Sequence, residues 1–247
     1  MKICHISDWH GNLRTLPTAD LYIVTGDMMP NFPLIKIQVD KWRRDGIVTY
    51  DPYGHLIGSP QRQPAGLYAG RLIIPEREET LQRQWCMQFP FRRGTCIPED
   101  APVLVVRGNH DFTDLSDWIG GDVWEVNLDP TRTTVVYGLK FGGCRGINYI
   151  IGEWSDELKR DQFDDVVKAL PVDIDVLITH APPSRILDFA GENYGSPSLA
   201  SYVNKRSFSD LDLKAHMFGH VHEAIGTRSH GGTLFSNAAT GVQTFDL

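Results

Sequence analysis

Short apolar runs that end in polar or glycine-containing loops recur along the whole chain. They occupy residues 2–7, 21–26, 102–108, 133–143, 175–180, 215–220 and 233–239. Val, Ile, Leu, Tyr and Phe dominate them, and their lengths predict strands rather than helices. Several are continuously apolar instead of alternating, which predicts strands covered on both faces. Helical patterns lie between them. In 155–171, Ser155 is placed to cap a helix in which Phe163, Val166, Val167 and Leu170 recur at helical spacing until Pro171 closes it. In 75–89, Leu81, Trp85 and Phe89 fall four apart. Strands interleaved with helices predict an α/β fold, a sandwich of sheets with helices outside.

Residues 36–74 break the pattern. They are rich in Gly, Pro and Tyr with scattered charge, and read as a hairpin-like insertion between the second and third core strands. Such a segment is either a functional flap over a site or an irregular surface excursion. With no internal repeat and no low-complexity tail, 1–247 reads as a single domain carrying this insertion.

Chemistry collects where the strands end. The first run delivers Asp8 and His10, the second Asp27, the third Asn109 and His110, the fifth His180, and the sixth His220 and His222. Carboxyl ends of neighbouring strands meeting at one edge would gather two carboxylates, one amide and five imidazoles. With no cysteine nearby, that donor set suits divalent cations of borderline hardness such as manganese, iron or zinc. Eight side chains are too many for one tetrahedral ion but fit two ions sharing a carboxylate. Asp27, the single acid of its motif, is the natural bridge. Two such ions clamp the attacking and leaving oxygens of an in-line displacement at phosphorus. Glycines before Asp27, Asn109 and His220 let the backbone turn sharply at those points.

Bulk composition narrows the partners. Of the 247 residues, 41% are hydrophobic, enough for a substantial core, and the formal net charge of −7 argues against broad nucleic-acid or membrane-surface binding. Cys4, Cys86, Cys96 and Cys144 form no CxxC pair and read as reduced thiols of a cytoplasmic protein. No apolar run is long enough to span a bilayer, and His5, Ser7 and Asp8 interrupt any secretory signal.

In order, DWH (Asp8, His10), GD (Gly26, Asp27), GNHD (108–111), THAPP (179–183) and GHVH (219–222) resemble the motifs of calcineurin-like metallophosphoesterases, over residues 3 to about 240. The run from 174 to 240 is most similar to the compact phosphodiesterase branch of that superfamily. The resemblance implies a four-layer αββα sandwich of two mixed β-sheets flanked by helices. It also implies a metal-dependent phosphoric ester hydrolase binding two divalent ions, manganese foremost and iron or zinc as alternatives. Asp8, His10 and His222 would hold one ion, and Asn109, His180 and His220 the other, with Asp27 bridging. His110 would be the general acid, a role that suits an imidazole near neutral pH.

Asn109, His110 and Arg107 are the candidate substrate contacts, with a salt-bridged strand-end arginine the favoured reading of Arg107. Asp111 either orients His110 or caps the following turn. Where protein phosphatases carry an acid and an arginine after GD, this chain has Met28, Met29, Pro30 and Asn31. That departure favours small phosphodiesters, including cyclic or short nucleotides, attacked in line by a metal-bound hydroxide. A phosphomonoesterase acting on nucleotides or phosphoproteins is the enzymatic alternative. A non-catalytic metal-binding scaffold is the alternative of another class, and the intact ligand set weighs against it. Trp9, His5 and His216 are expected to pack in the interior, Asn237 to form a turn or support a ligand, His55 to be solvent-exposed unless the flap folds over the site, and Tyr149 to lie in a loop that reaches the pocket mouth.

Overall fold

A computed structural model describes residues 1–32, 75–89, 96–126, 129–150, 154–206 and 213–247, together with four short strands within 33–74. The strands in chain order are β1 (Lys2–Ile6), β2 (Leu21–Val24), β3 (Val48–Tyr50), β4 (Leu56–Gly58), β5 (Leu67–Tyr68), β6 (Arg71–Leu72), β7 (Val103–Val106) and β8 (Val123–Val126). They continue with β9 (Thr133–Val136), β10 (Leu139–Cys144), β11 (Ile147–Asn148), β12 (Glu157–Leu158), β13 (Val176–Thr179), β14 (Ala215–Phe218), β15 (Gly226–His230), β16 (Thr233–Asn237) and β17 (Val242–Asp246). Helices span Pro75–Gln88, Leu115–Ile119, Arg160–Lys168 and Pro197–Arg206.

Two large mixed sheets carry the molecule, ordered β17-β1-β2-β7-β8 and β15-β16-β14-β13-β10-β9. Within the first, β1, β2, β7 and β8 are parallel and β17 runs antiparallel along β1. Within the second, β10, β13, β14 and β16 are parallel, with antiparallel strands at both edges.

The continuous apolar runs are explained by what covers each face. In β2, Leu21 and Ile23 point between the sheets, where Ile3, Leu104 and Val106 meet Phe141, Val176, Ile178 and Met217. Tyr22 and Val24 point outward to Leu115, Trp118 and Ile119. The second sheet turns Leu177, Phe218 and Phe235 outward to Phe163, Val167, Leu199 and Val203. Helix, sheet, sheet, helix is the resulting order of layers. A side chain fully buried on either face contributes about 1.5–3 kcal/mol.

One boundary differs from its sequence pattern. Ser155 does not cap a helix: the helix starts at Arg160, and the Lys159 amide donates to the Gln162 side chain at its entry. Residues 157–158 are instead claimed by pairing with Ile147–Asn148, and Asp156 turns the chain with a φ of 53°. The proposed 36–74 insertion, His55 included, falls largely outside the described residues. Only the hairpins β3–β4 and β5–β6 are described there. None of the four cysteines forms a disulfide; burial pushes the Cys4 and Cys144 thiols up to about 12. Among the described residues no helix is long and apolar enough to cross a membrane.

Two interior histidines stay neutral. His5 bonds Ser236 and Thr25 across the sheets, and His216 bonds Thr179 against Phe218. Burial lowers both from 6.5 to about 3. The unfolded chain therefore takes up these protons below pH 6.5 while the folded chain refuses them until about pH 3. Their stabilising contribution is complete above that window and is lost as pH falls through it. Urea midpoints measured from pH 7.5 down to 4.5 are expected to decline, and His5→Gln with His216→Gln to flatten the decline. An unchanged slope in the double variant would refute the assignment.

Candidate metal centre

Parallel pairing explains why the polar loops meet. The loops after β1, β2 and β7 leave one edge of the first sheet, and those after β13 and β14 leave the corresponding edge of the second. A parallel bridge between Ser7 and Ala239 draws the two edges together.

The side chains form two overlapping groups. On one side, His222 Nε2 lies 3.1 Å from Asp8 Oδ1 and 3.4 Å from His10 Nε2. On the other, His180 Nε2 lies 3.3 Å from Asp27 Oδ2 and 3.2 Å from Asn109 Oδ1, with the His220 ring 5.1 Å from that of His180. Asp27 stands between them: its potential ligand atom lies within 4.8 Å of those of His180 and His220, and also of those of His10 and His110. All seven candidate ligands are thus brought together, and His110 with them.

The donor set fits cations. Two imidazole Nε2 atoms 3.4 Å apart, as in His10 and His222, repel unless a proton or cation lies between them, and His10 Nδ1 is buried without a hydrogen-bond partner. In His180, Asp8 and Asp27 the spare atoms are committed elsewhere, so each of these three offers one face. His180 Nδ1 donates to the Thr25 carbonyl, which fixes Nε2 as the free atom. Asp8 Oδ2 accepts from the Ser7 hydroxyl and the His220 amide, leaving Oδ1 toward His222. Asp27 Oδ1 accepts from the His110 amide at 2.7 Å, leaving Oδ2 toward the centre.

Electrostatics agree with that geometry. Burial favours the neutral acid at Asp27, but the imidazoles of His180 and His110 outweigh it and hold the carboxyl well below its usual range. Burial likewise opposes charge on His180, yet Asp27 and Asp8 raise it to about 10. The Asp8 hydrogen bond raises His222, whereas burial lowers His220 to about 4. In the protein alone, imidazolium supplies the positive charge that the two carboxylates require.

Backbone geometry is equally committed. Asp8, His10, Asp27 and His220 have φ of 57°, 46°, 53° and 73°, a left-handed region costly for residues with a Cβ. A Cβ on Gly108 would overlap the Asp27 carboxylate, and one on Gly219 would overlap Asp8 and the Ser7 hydroxyl.

Several supporting residues escaped the sequence reading. His110 Nδ1 donates to Asn31 Oδ1 at 2.8 Å, which turns Nε2 toward Asp27, 3.8 Å away. The buried Gln82 accepts from the Phe112 amide and donates to the His110 carbonyl, clamping that loop from the Pro75–Gln88 helix. Asp111 neither orients His110 nor merely caps a turn. Its carboxylate accepts from the amides of Asp27, Met29 and Gly108, joining the β2 and β7 loops, and burial, then the Asp27 charge, raise it to about 7.

Arg107 does not join the cluster. Its guanidinium pairs with Asp114 and Asp156, whereas Trp154 packs its ring 4.0 Å from that of His110. Trp9 is buried with its indole N–H on the Gly241 carbonyl, and Asn237 is spent on the carbonyls of Leu187 and Val221 and the Ala239 amide.

Known proteins resemble the chain in sequence or in fold. UPF0046 protein K07C11.7 of Caenorhabditis elegans is 42% identical over 82 residues, 33% of this chain and 27% of that protein. The human metallophosphoesterase domain-containing protein 1 is 34% identical over 165 residues, 55% of this chain and 49% of that protein. The matches thus span from about a quarter to about half of those relatives' lengths. A solved crystal structure 14% identical in sequence, at a TM-score of 0.50, covers 96% of this chain and 90% of its own, a likeness of fold. The calcineurin-like phosphoesterase family model matches residues 1–224, and the chain belongs to that family.

Proposed function

We propose that the chain is a binuclear metal-dependent phosphoesterase that hydrolyses small phosphodiesters. Asp8, His10 and His222 hold one cation, Asn109, His180 and His220 the other, and Asp27 serves both; manganese suits the donors, as do iron and zinc. Family membership supports metal-dependent ester hydrolysis, and the paired ligand groups around Asp27 support two ions. Such cations supply positive charge to the phosphoryl oxygens and acidify water enough for attack near neutral pH.

The observation that carries the diester reading is the charge of the cleft. Among the described residues lining it are Asp27, His110, His222 and the exposed Glu223, but no arginine or lysine. Among these described residues a monoester dianion would meet Glu223 and no guanidinium, whereas a diester brings a single negative charge. Met28 and Met29 are buried in the core, so these two positions bring no cation to the cleft either.

The remaining steps belong to the chain's own groups. Asn31 holds His110 so that Nε2 faces the leaving oxygen, and the protonated ring delivers its proton there. Burial, outweighing the pull of the Asp27 carboxylate, lowers His110 to about 4, so its protonation depends on the anionic ester beside it.

Three outcomes are expected. With manganese, bis-p-nitrophenyl phosphate should be turned over with higher kcat/KM than p-nitrophenyl phosphate; a clear monoester preference would reverse the ranking. His110→Ala should keep its metal yet lose about 10²–10⁴-fold in turnover of a diester with an alkyl leaving group, and far less with p-nitrophenolate, which needs no proton. Equal losses on the two esters would remove His110 as the acid. Gly219→Ala, which displaces the Asp8 carboxylate, should weaken manganese binding about 10–100-fold in a chelator competition at retained helix and sheet content. Unaltered affinity would contradict the ligand role of Asp8.

A further inference from the structure

The cleft is chemically two-sided. Its floor is polar, with Asp27, Asn109, His110, His220 and His222, but its walls include Ile150, Trp154, Ala190 and Tyr194, around a volume of about 300 Å³. Ile150 and Tyr194 are 38% and 47% exposed, so this apolar surface faces solvent rather than the core. Apolar surface kept in water around a polar site marks a ligand groove.

Both walls are held in place. On one, the Glu157 carboxylate accepts from the amides of Ile150 and Trp154, and the Ser155 amide donates to the Asn109 carbonyl. That fixes the wall to the same loop that carries His110. On the other, Phe189 bridges Asn193, the Tyr194 amide donates to the Asp188 carbonyl, and the Asp188 carboxylate accepts from the amides of Arg185 and Gly195. A preformed wall loses little entropy when a ligand settles on it.

We propose that these walls select phosphoesters bearing a flat aromatic or apolar group, with Ile150 and Tyr194 as specificity-determining residues. An aryl group gains by leaving water against these ring and aliphatic faces, whereas a polyol or sugar ester would give up water from its hydroxyl groups there. The inference rests on the reading that the floor binds the phosphoryl group.

Binding of two phosphonates to the manganese-loaded protein separates the possibilities. By titration calorimetry, the monoanionic monomethyl ester of phenylphosphonate should bind on the order of 10-fold tighter than that of methylphosphonate. Tyr194→Ala and Ile150→Ala should each weaken the phenyl ligand by about 3–10-fold and leave the methyl ligand unaltered, while Tyr194→Phe keeps the preference. Equal affinity for the two ligands, or a preference that survives the Ile150→Ala, Tyr194→Ala double variant, would overturn the proposal. Aryl preference in a protein that turns over no ester would uphold this selectivity and refute the hydrolase. Failure to bind either ligand would refute both.

Discussion

Two buried carboxylates at the meeting edge of two sheets set the terms for everything around them. Asp8 and Asp27 are each 2% exposed. Removing such charges from water costs several kcal/mol apiece unless opposite charge and hydrogen bonds replace the solvent. The answer here is layered: each carboxylate accepts backbone amides, imidazoles crowd the remaining oxygens, and neighbouring glycines leave room for that approach. The centre is therefore part of the fold's architecture, because the loops are shaped around the acids as much as the acids are placed by the loops.

That mutual dependence also organises the second tier. Asp111 ties two loops through three amides, Gln82 reaches in from a helix, and Asn31 sets the tautomer of His110. Asn31 stands in the stretch where protein phosphatases carry charged residues, and its amide is neutral. It orients the imidazole without adding a further charge to a crowded site.

The sheets and the cluster were legible in the sequence because both depend on local patterns: short apolar runs, each ending in a polar motif. The helix start at Arg160 was not, since the 157–158 segment is decided by pairing with β11, a contact remote from its own hydrophobic spacing. Edge strands β8, β15 and β17 were also missed: β8 and β17 have mixed faces, β15 is almost wholly exposed, and the partner of β17 is remote in sequence. Gln82, Asn31 and Trp154 have roles visible only in three dimensions. No spacing announces that a helix interior glutamine will clamp a catalytic loop, whereas Arg107, conspicuous beside its motif, is neutralised by two aspartates.

The left-handed backbone at Asp8, His10, Asp27 and His220 has a consequence for the molecule's history. At each position glycine would relax the main chain and favour folding, while deleting a donor. Pressure for robustness alone thus pulls against the ligand set at four places at once. A lineage with no use for these donors would be expected to shed them there first.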